Sequence, residues 1–108
     1  MVKQPAKRPA KEVNLLTKVR TAITSGDFAD VDHAQIRQAE RKITRPEYLY
    51  VLTKSGWHEK RKDTFIEAFK AWNYAIRGRT IDERELRVIV SFDEDGLLII
   101  TVIDLEVT

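Results

Sequence analysis

ELRVIVSFDEDGLLIITVIDL, residues 85–105, is the stretch on which the fold turns. Leu86, Val88, Val90 and Phe92 alternate with Glu85, Arg87, Ile89 and Ser91, the period of two expected of a strand with one buried face. Asp93-Glu94-Asp95-Gly96 follows as a four-residue hairpin loop of turn-forming residues. Leu97 to Leu105 is nearly continuous in apolar residues, which places it centrally in a sheet. With Phe92 opposite Leu97, strict alternation sets Val90 against Ile99 and Val88 against Thr101. One face then carries Leu86, Val88, Val90, Phe92, Leu97, Ile99 and Ile103, and this face is expected to meet the helices.

Working backwards, Trp72, Tyr74 and Ile76 alternate with Asn73, Ala75 and Arg77. They must join the same face, because a slip of one residue would bury Arg77 and Arg79 instead. A two-residue turn at Asp82-Glu83 would produce that slip, so the connecting loop should hold an odd number of residues. Arg77 then lies opposite Arg87 and Arg79 opposite Glu85 on the second face, near Asn73 and Ser91. Like charges directly across strands repel, and two arginines so placed invite a shared anion. The other reading is that Asp104 and Glu85 neutralise the group and leave a solvated face.

Further upstream the period is helical. Val13, Leu16, Val19 and Ile23 recur at helix spacing, with Leu15 and Ala22 beside them, and Ser25-Gly26 supplies a stop. An extended link, 27–32, leads to Asp32 and Gln35, which resemble a capping box for a second helix from His33 carrying Ile36, Ala39 and Ile43. Thr44-Arg45-Pro46-Glu47 repeats the start signal for a third, shorter helix to about Lys54, burying Leu49 and Leu52. Residues 57–62 read as an edge strand, and 63–71 as either a short helix or a packed loop. Residues 1–11, basic and poor in apolar side chains, read as a flexible arm before a single domain, 12–108. The expected class is α+β, with N-terminal helices on one face of a C-terminal antiparallel sheet.

At 108 residues one domain is the default, and the absence of cysteine excludes disulfides and thiolate chemistry. No apolar run has the length of a signal-peptide core or a membrane span, so a cytoplasmic protein without membrane attachment is expected. The net charge of +2 says little, but its distribution is uneven. Residues 1–11 carry four cations and no anion; 33–62 carry eight cations against three anions. From Asp82 onward eight acids face only Arg84 and Arg87. Such asymmetry fits either an anion-binding surface or ordinary solvated faces.

The string from His33 to Thr44, HAQIRQAERKIT, followed by a short helix and then by 85–92, 93–96 and 97–102, resembles the bacterial DUF4258 family over roughly residues 28–105. That family is in turn similar to toxins of the RelE and BrnT type. The resemblance implies a compact α+β, RelE-like ribonuclease fold whose sheet turns basic residues toward RNA and which a cognate antitoxin silences. Lys42 stands where the family usually has glycine, and the segment between Trp57 and Trp72 is longer than usual.

On this reading His33, Arg37 and Arg41, spaced at i, i+4 and i+8, are the candidate catalytic residues, an imidazole for proton transfer beside two phosphate-holding guanidiniums. A histidine at a helix start also serves packing or capping. Lys60, Arg77, Arg79 and Arg87 are the candidate nucleic-acid-binding residues, able to stabilise charge on phosphorus while a 2′-OH attacks. Trp57, Trp72 and Tyr74 offer rings for stacking or for the core. His33 and His58 alone do not compose a metal site, and neither a metal nor another cofactor is expected. The leading expectation is a toxin-like RNA-binding domain, extending to metal-independent endoribonuclease activity. Its rival is a non-catalytic module that docks a protein partner.

Overall fold

The computed structural model describes residues 8–31 and 43–106. The expected second helix, with its Asp32 cap and with His33, Arg37 and Arg41, lies outside the described residues. The described elements are two α-helices and a six-stranded, mostly antiparallel sheet, an α+β architecture. Helix α1 spans Leu15–Ser25 and α2 spans Arg45–Tyr50. The strands are β1 (Phe28–Asp30), β2 (Trp57–His58), β3 (Thr64–Ile66), β4 (Ala71–Arg79), β5 (Glu85–Asp93) and β6 (Gly96–Asp104). Their order is β1-β6-β5-β4-β2, with β3 pairing the other end of the same β4 edge.

The expected meander β4-β5-β6 is present, with Arg77 paired to Arg87, Arg79 to Glu85 and Phe92 to Leu97. Loop 80–84 is odd in length, closed by Thr80 N–H to Arg84 C=O at 2.9 Å. One pairing differs. Ile89, not Val88, lies opposite Thr101, and Val88 lies opposite Val102, because Ile100 is an extra residue on β6. The bulge exchanges the faces beyond it: Val102 is fully buried, while Ile103, expected in the core, pairs with Arg87 on the second face. The 27–32 link also forms more than a connection, since β1 adds a parallel edge to β6 through Phe28–Leu97 and Asp30–Ile99.

Leu15 and Val19 of α1 bury against the Val88, Val90 and Ile99 face, as the alternation requires. Val13 is exposed because the helix begins only at Leu15; Leu15 and Val19 are the buried residues of the packed stripe, with Leu16 and Ile23 partly buried against the same core. Gly26 ends α1 at φ 80°, a left-handed conformation that costs glycine least, and its N–H reaches the Ala22 and Ile23 carbonyls. Helix α2 opens with the expected capping box of Thr44 and Glu47 and Pro in its first turn. It continues as a π-helical turn, Val51–Ser55, closed by Gly56 N–H to Val51 C=O at 2.7 Å. Val51 and Leu52 of this turn are buried in the core together with Tyr48 of α2, while Leu49 is only partly buried. It lies so close to β4 that a Cβ on Gly78 would stand 2.9 Å from the Gly56 Cα.

Residues 63–71 are neither helix nor loop alone: β3 forms a hairpin with β4, pairing Phe65 with Trp72. Of residues 1–11, Arg8 to Lys11 lie against this hairpin. Trp72 Nε1 donates to the Pro9 carbonyl at 2.7 Å, and Arg8 stands over the Phe65 ring. Among the described residues no helix is long and apolar enough to cross a membrane.

Candidate nucleic-acid interface

Between β2 and β3 the chain leaves the β4 edge and makes a 3-10 turn, Lys60–Lys62. Because β2 pairs Trp57 with Arg77, a residue two positions beyond Trp57 falls on the arginine face. That residue is Glu59, which is fully buried and whose amide donates to the Ala75 carbonyl at 2.9 Å.

Glu59 is the anion the two arginines share. Arg87 Nε donates to Glu59 Oε1 at 2.7 Å and Arg87 Nη2 to Oε2 at 3.2 Å, a two-point contact of guanidinium on carboxylate. Arg77 Nη1 reaches Oε2 at 3.4 Å, and Arg77 Nε donates to Glu85 Oε1 at 3.0 Å. The result is a chain of alternating charge, Arg87, Glu59, Arg77, Glu85. The Arg87 hydrogen bonds, with its charge and Arg77 behind them, hold the Glu59 carboxyl below the usual carboxylate range against the opposing effect of burial. Arg77 does the same for Glu85.

The arginine pair is therefore on the expected face but is not open: the Arg87 side chain is 16 % exposed. Glu85 neutralises Arg77, as the second of the two expectations for this face has it. Asp104 does not reach Arg87; the bulge turns it toward Arg84, at 3.8 Å. Arg79 keeps an exposed side chain, 61 %, with Glu83 at 3.7 Å. Glu59 escapes a reading of the sequence because it stands alone in a basic run. The signal that could find it is the edge strand from Trp57, which puts it on the arginine side.

Around this network lie the exposed cations. Lys60, Arg61 and Lys62 occupy one turn, the Arg61 side chain is 77 % exposed, and Trp57 beside them is 50 % exposed. Trp72 and Tyr74 are core-side residues; Tyr74 is buried, and burial raises its phenol pKa. Tyr48, wholly buried, donates to Asp30 at 2.6 Å, and burial and that carboxylate raise its phenol far above the ordinary value.

On the other side of the turn, His58 Nε2 lies 2.7 Å from Asp63 Oδ2. Asp63 Oδ1 accepts the Ala75 N–H at 2.9 Å, and Lys11 Nζ lies 3.1 Å from Oδ2. Asp63 thus supplies, on the edge of β4 away from β5, the acceptor that the Ala75 N–H would otherwise take from a neighbouring strand. Among the described residues no group of three or more His, Asp or Glu side chains could hold a metal ion.

The profile of the DUF4258 family, described as a domain of unknown function, matches residues 31–104, and the chain belongs to that family. No curated protein and no solved structure matches it.

Proposed function

We propose that this domain binds single-stranded RNA in the manner of a RelE- or BrnT-type toxin and cuts it without a metal. The observation that carries the reading is the turn Lys60–Lys62, three consecutive exposed cations between the half-exposed Trp57 and the β3–β4 hairpin. Cations at that spacing suit successive phosphates, and a half-exposed indole suits stacking on a base whatever its identity. Arg79 extends the cationic edge. Arg77 and Arg87 hold Glu59 and Glu85, so a phosphate would compete with carboxylates already in place. Their part is to shape the face and keep it positive, since three guanidiniums, Arg61, Arg77 and Arg87, stand against two carboxylates, Glu59 and Glu85.

The partner that silences such a domain, a cognate antitoxin, would cover this edge. A second reading, a protein-docking module without catalysis, draws on Ile89, Leu98 and Ile103, which are only partly buried on the face away from α1. Titration of the protein with a short single-stranded RNA at low ionic strength, followed by indole fluorescence, separates the two. Quenching that is reduced in Trp57→Phe supports the RNA reading. Absence of binding removes it and leaves the docking module.

A further inference from the structure

We propose that the cleft between His58, Lys60 and the first turn of α1 is where the RNA phosphodiester is cut, with His58 as general base. This assignment rests on the RNA reading above. The cleft is lined by Val13, Asn14, Leu16 and Thr17 on one side and by His58 and Lys60 on the other. Lys60 belongs to both the cleft and the basic turn, so a strand held on the turn brings a phosphate to the cleft mouth.

The geometry of His58 is that of an oriented base. Its Nε2 is engaged by Asp63 at 2.7 Å, which in the neutral ring places the N–H on Nε2 and the lone pair on Nδ1. Among the described residues Nδ1 makes no hydrogen bond. Asp63 is itself fixed, its side chain fully buried and both oxygens occupied, by the Ala75 amide and by Lys11 together with His58. The structural duty of Asp63 toward Ala75 and Lys11 is complete without an imidazole, so the histidine is not required to satisfy it. The ring packs edge-on against Tyr74, which limits its rotation. Across the cleft, Asn14 leaves the first amides of α1 without a side-chain cap, donors of the kind that suit a phosphate oxygen.

The step balances without water, metal or oxidant. His58 Nδ1 takes the proton of the 2′-OH, the 2′-oxygen forms its bond to phosphorus as the bond from phosphorus to the 5′-oxygen breaks, and the Lys60 ammonium protonates the leaving oxygen. A 2′,3′-cyclic phosphate and a 5′-hydroxyl result, and the imidazolium and amine exchange protons with solvent. Asp63 is a positioning residue.

The test uses the full chain, labelled single-stranded RNA and EDTA throughout. Expected are cleavage by the wild type with cyclic-phosphate ends, and for His58→Gln, whose amide retains a donor for Asp63, binding within about two-fold but cleavage at least roughly 100-fold slower. Free imidazole should restore cleavage to His58→Gly, which separates lost chemistry from lost folding. The 15N spectrum of the His58 ring should show the Nε2–H tautomer in the wild type and lose it in Asp63→Asn. Cleavage at the wild-type rate by His58→Gln, or RNA bound by the wild type but left intact, overturns the assignment while leaving RNA binding in place. No RNA binding at low salt overturns both.

Discussion

Arg87→Ala should destabilise the fold far more than the loss of a surface arginine. The substitution removes both hydrogen bonds of the two-point contact, at 2.7 and 3.2 Å, from a Glu59 that has no solvent exposure. What remains near the carboxylate is Arg77 at 3.4 Å, already shared with Glu85, and Arg61 at 3.9 Å. Stripping one partner from a buried pair typically costs about 3–5 kcal/mol, because the other charge is left desolvated. With Arg77 still present the low end applies, roughly 3 kcal/mol, or a fall in Tm on the order of 10–20 °C for a domain of this size. Urea denaturation followed by circular dichroism measures it. The double variant Glu59→Met with Arg87→Met should recover most of the loss, since no charge remains buried and the aliphatic chains fill similar volume. A loss below about 1 kcal/mol for Arg87→Ala, the value of an exposed ion pair, would mean that Glu59 does not depend on Arg87 as a buried charge.

Acid should weaken the same network. The Glu59 and Glu85 carboxyls titrate lower in the folded chain than unfolded, so their contribution is complete above roughly pH 4.3 and disappears as pH falls through their folded values. Denaturation midpoints measured across that range should drop in the wild type and drop less in Arg87→Ala. Gly78→Ala should cost about 1–3 kcal/mol, because its Cβ would meet the Gly56 Cα and Ser55 Oγ at 2.9 Å and push the π-helical turn off β4; an unchanged melting curve would contradict that packing. Thr44→Ala removes the side chain that caps Glu47 N–H and should cost about 1 kcal/mol by the same urea assay.

Local pattern carries most of the fold. The alternation of 85–92, the odd loop and the Phe92–Leu97 pairing follow from side-chain period and turn length, and they place Arg77 against Arg87. The bulge at Ile100 is hidden because Leu97 to Ile100 are all apolar, so no polar residue marks where the faces exchange. β3 is illegible for a related reason: Thr64–Ile66 is too short to show a period, and only the long β4 beside it makes it a strand. The candidate site is half legible. Which basic residues share a face is a question of register, whereas which carboxylate closes on them depends on β2 docking at the β4 edge, a contact between residues far apart in sequence. The His58–Asp63 pair depends on that same docking, since the 3-10 turn folds the two together.

Whether the turn Lys60–Lys62 grips the RNA backbone is decided by the salt dependence of binding. Fluorescence anisotropy with a single-stranded RNA, repeated over a series of salt concentrations, gives the slope of log K against log salt for the wild type and for the variant carrying Lys60→Ala, Arg61→Ala and Lys62→Ala. All three residues are exposed, so folding should be unaffected. Weaker binding is expected, with a slope shallower by about 2, from roughly 0.7 for each phosphate that the variant no longer neutralises. An unchanged slope, or no measurable RNA binding by the wild type at low salt, would contradict that grip.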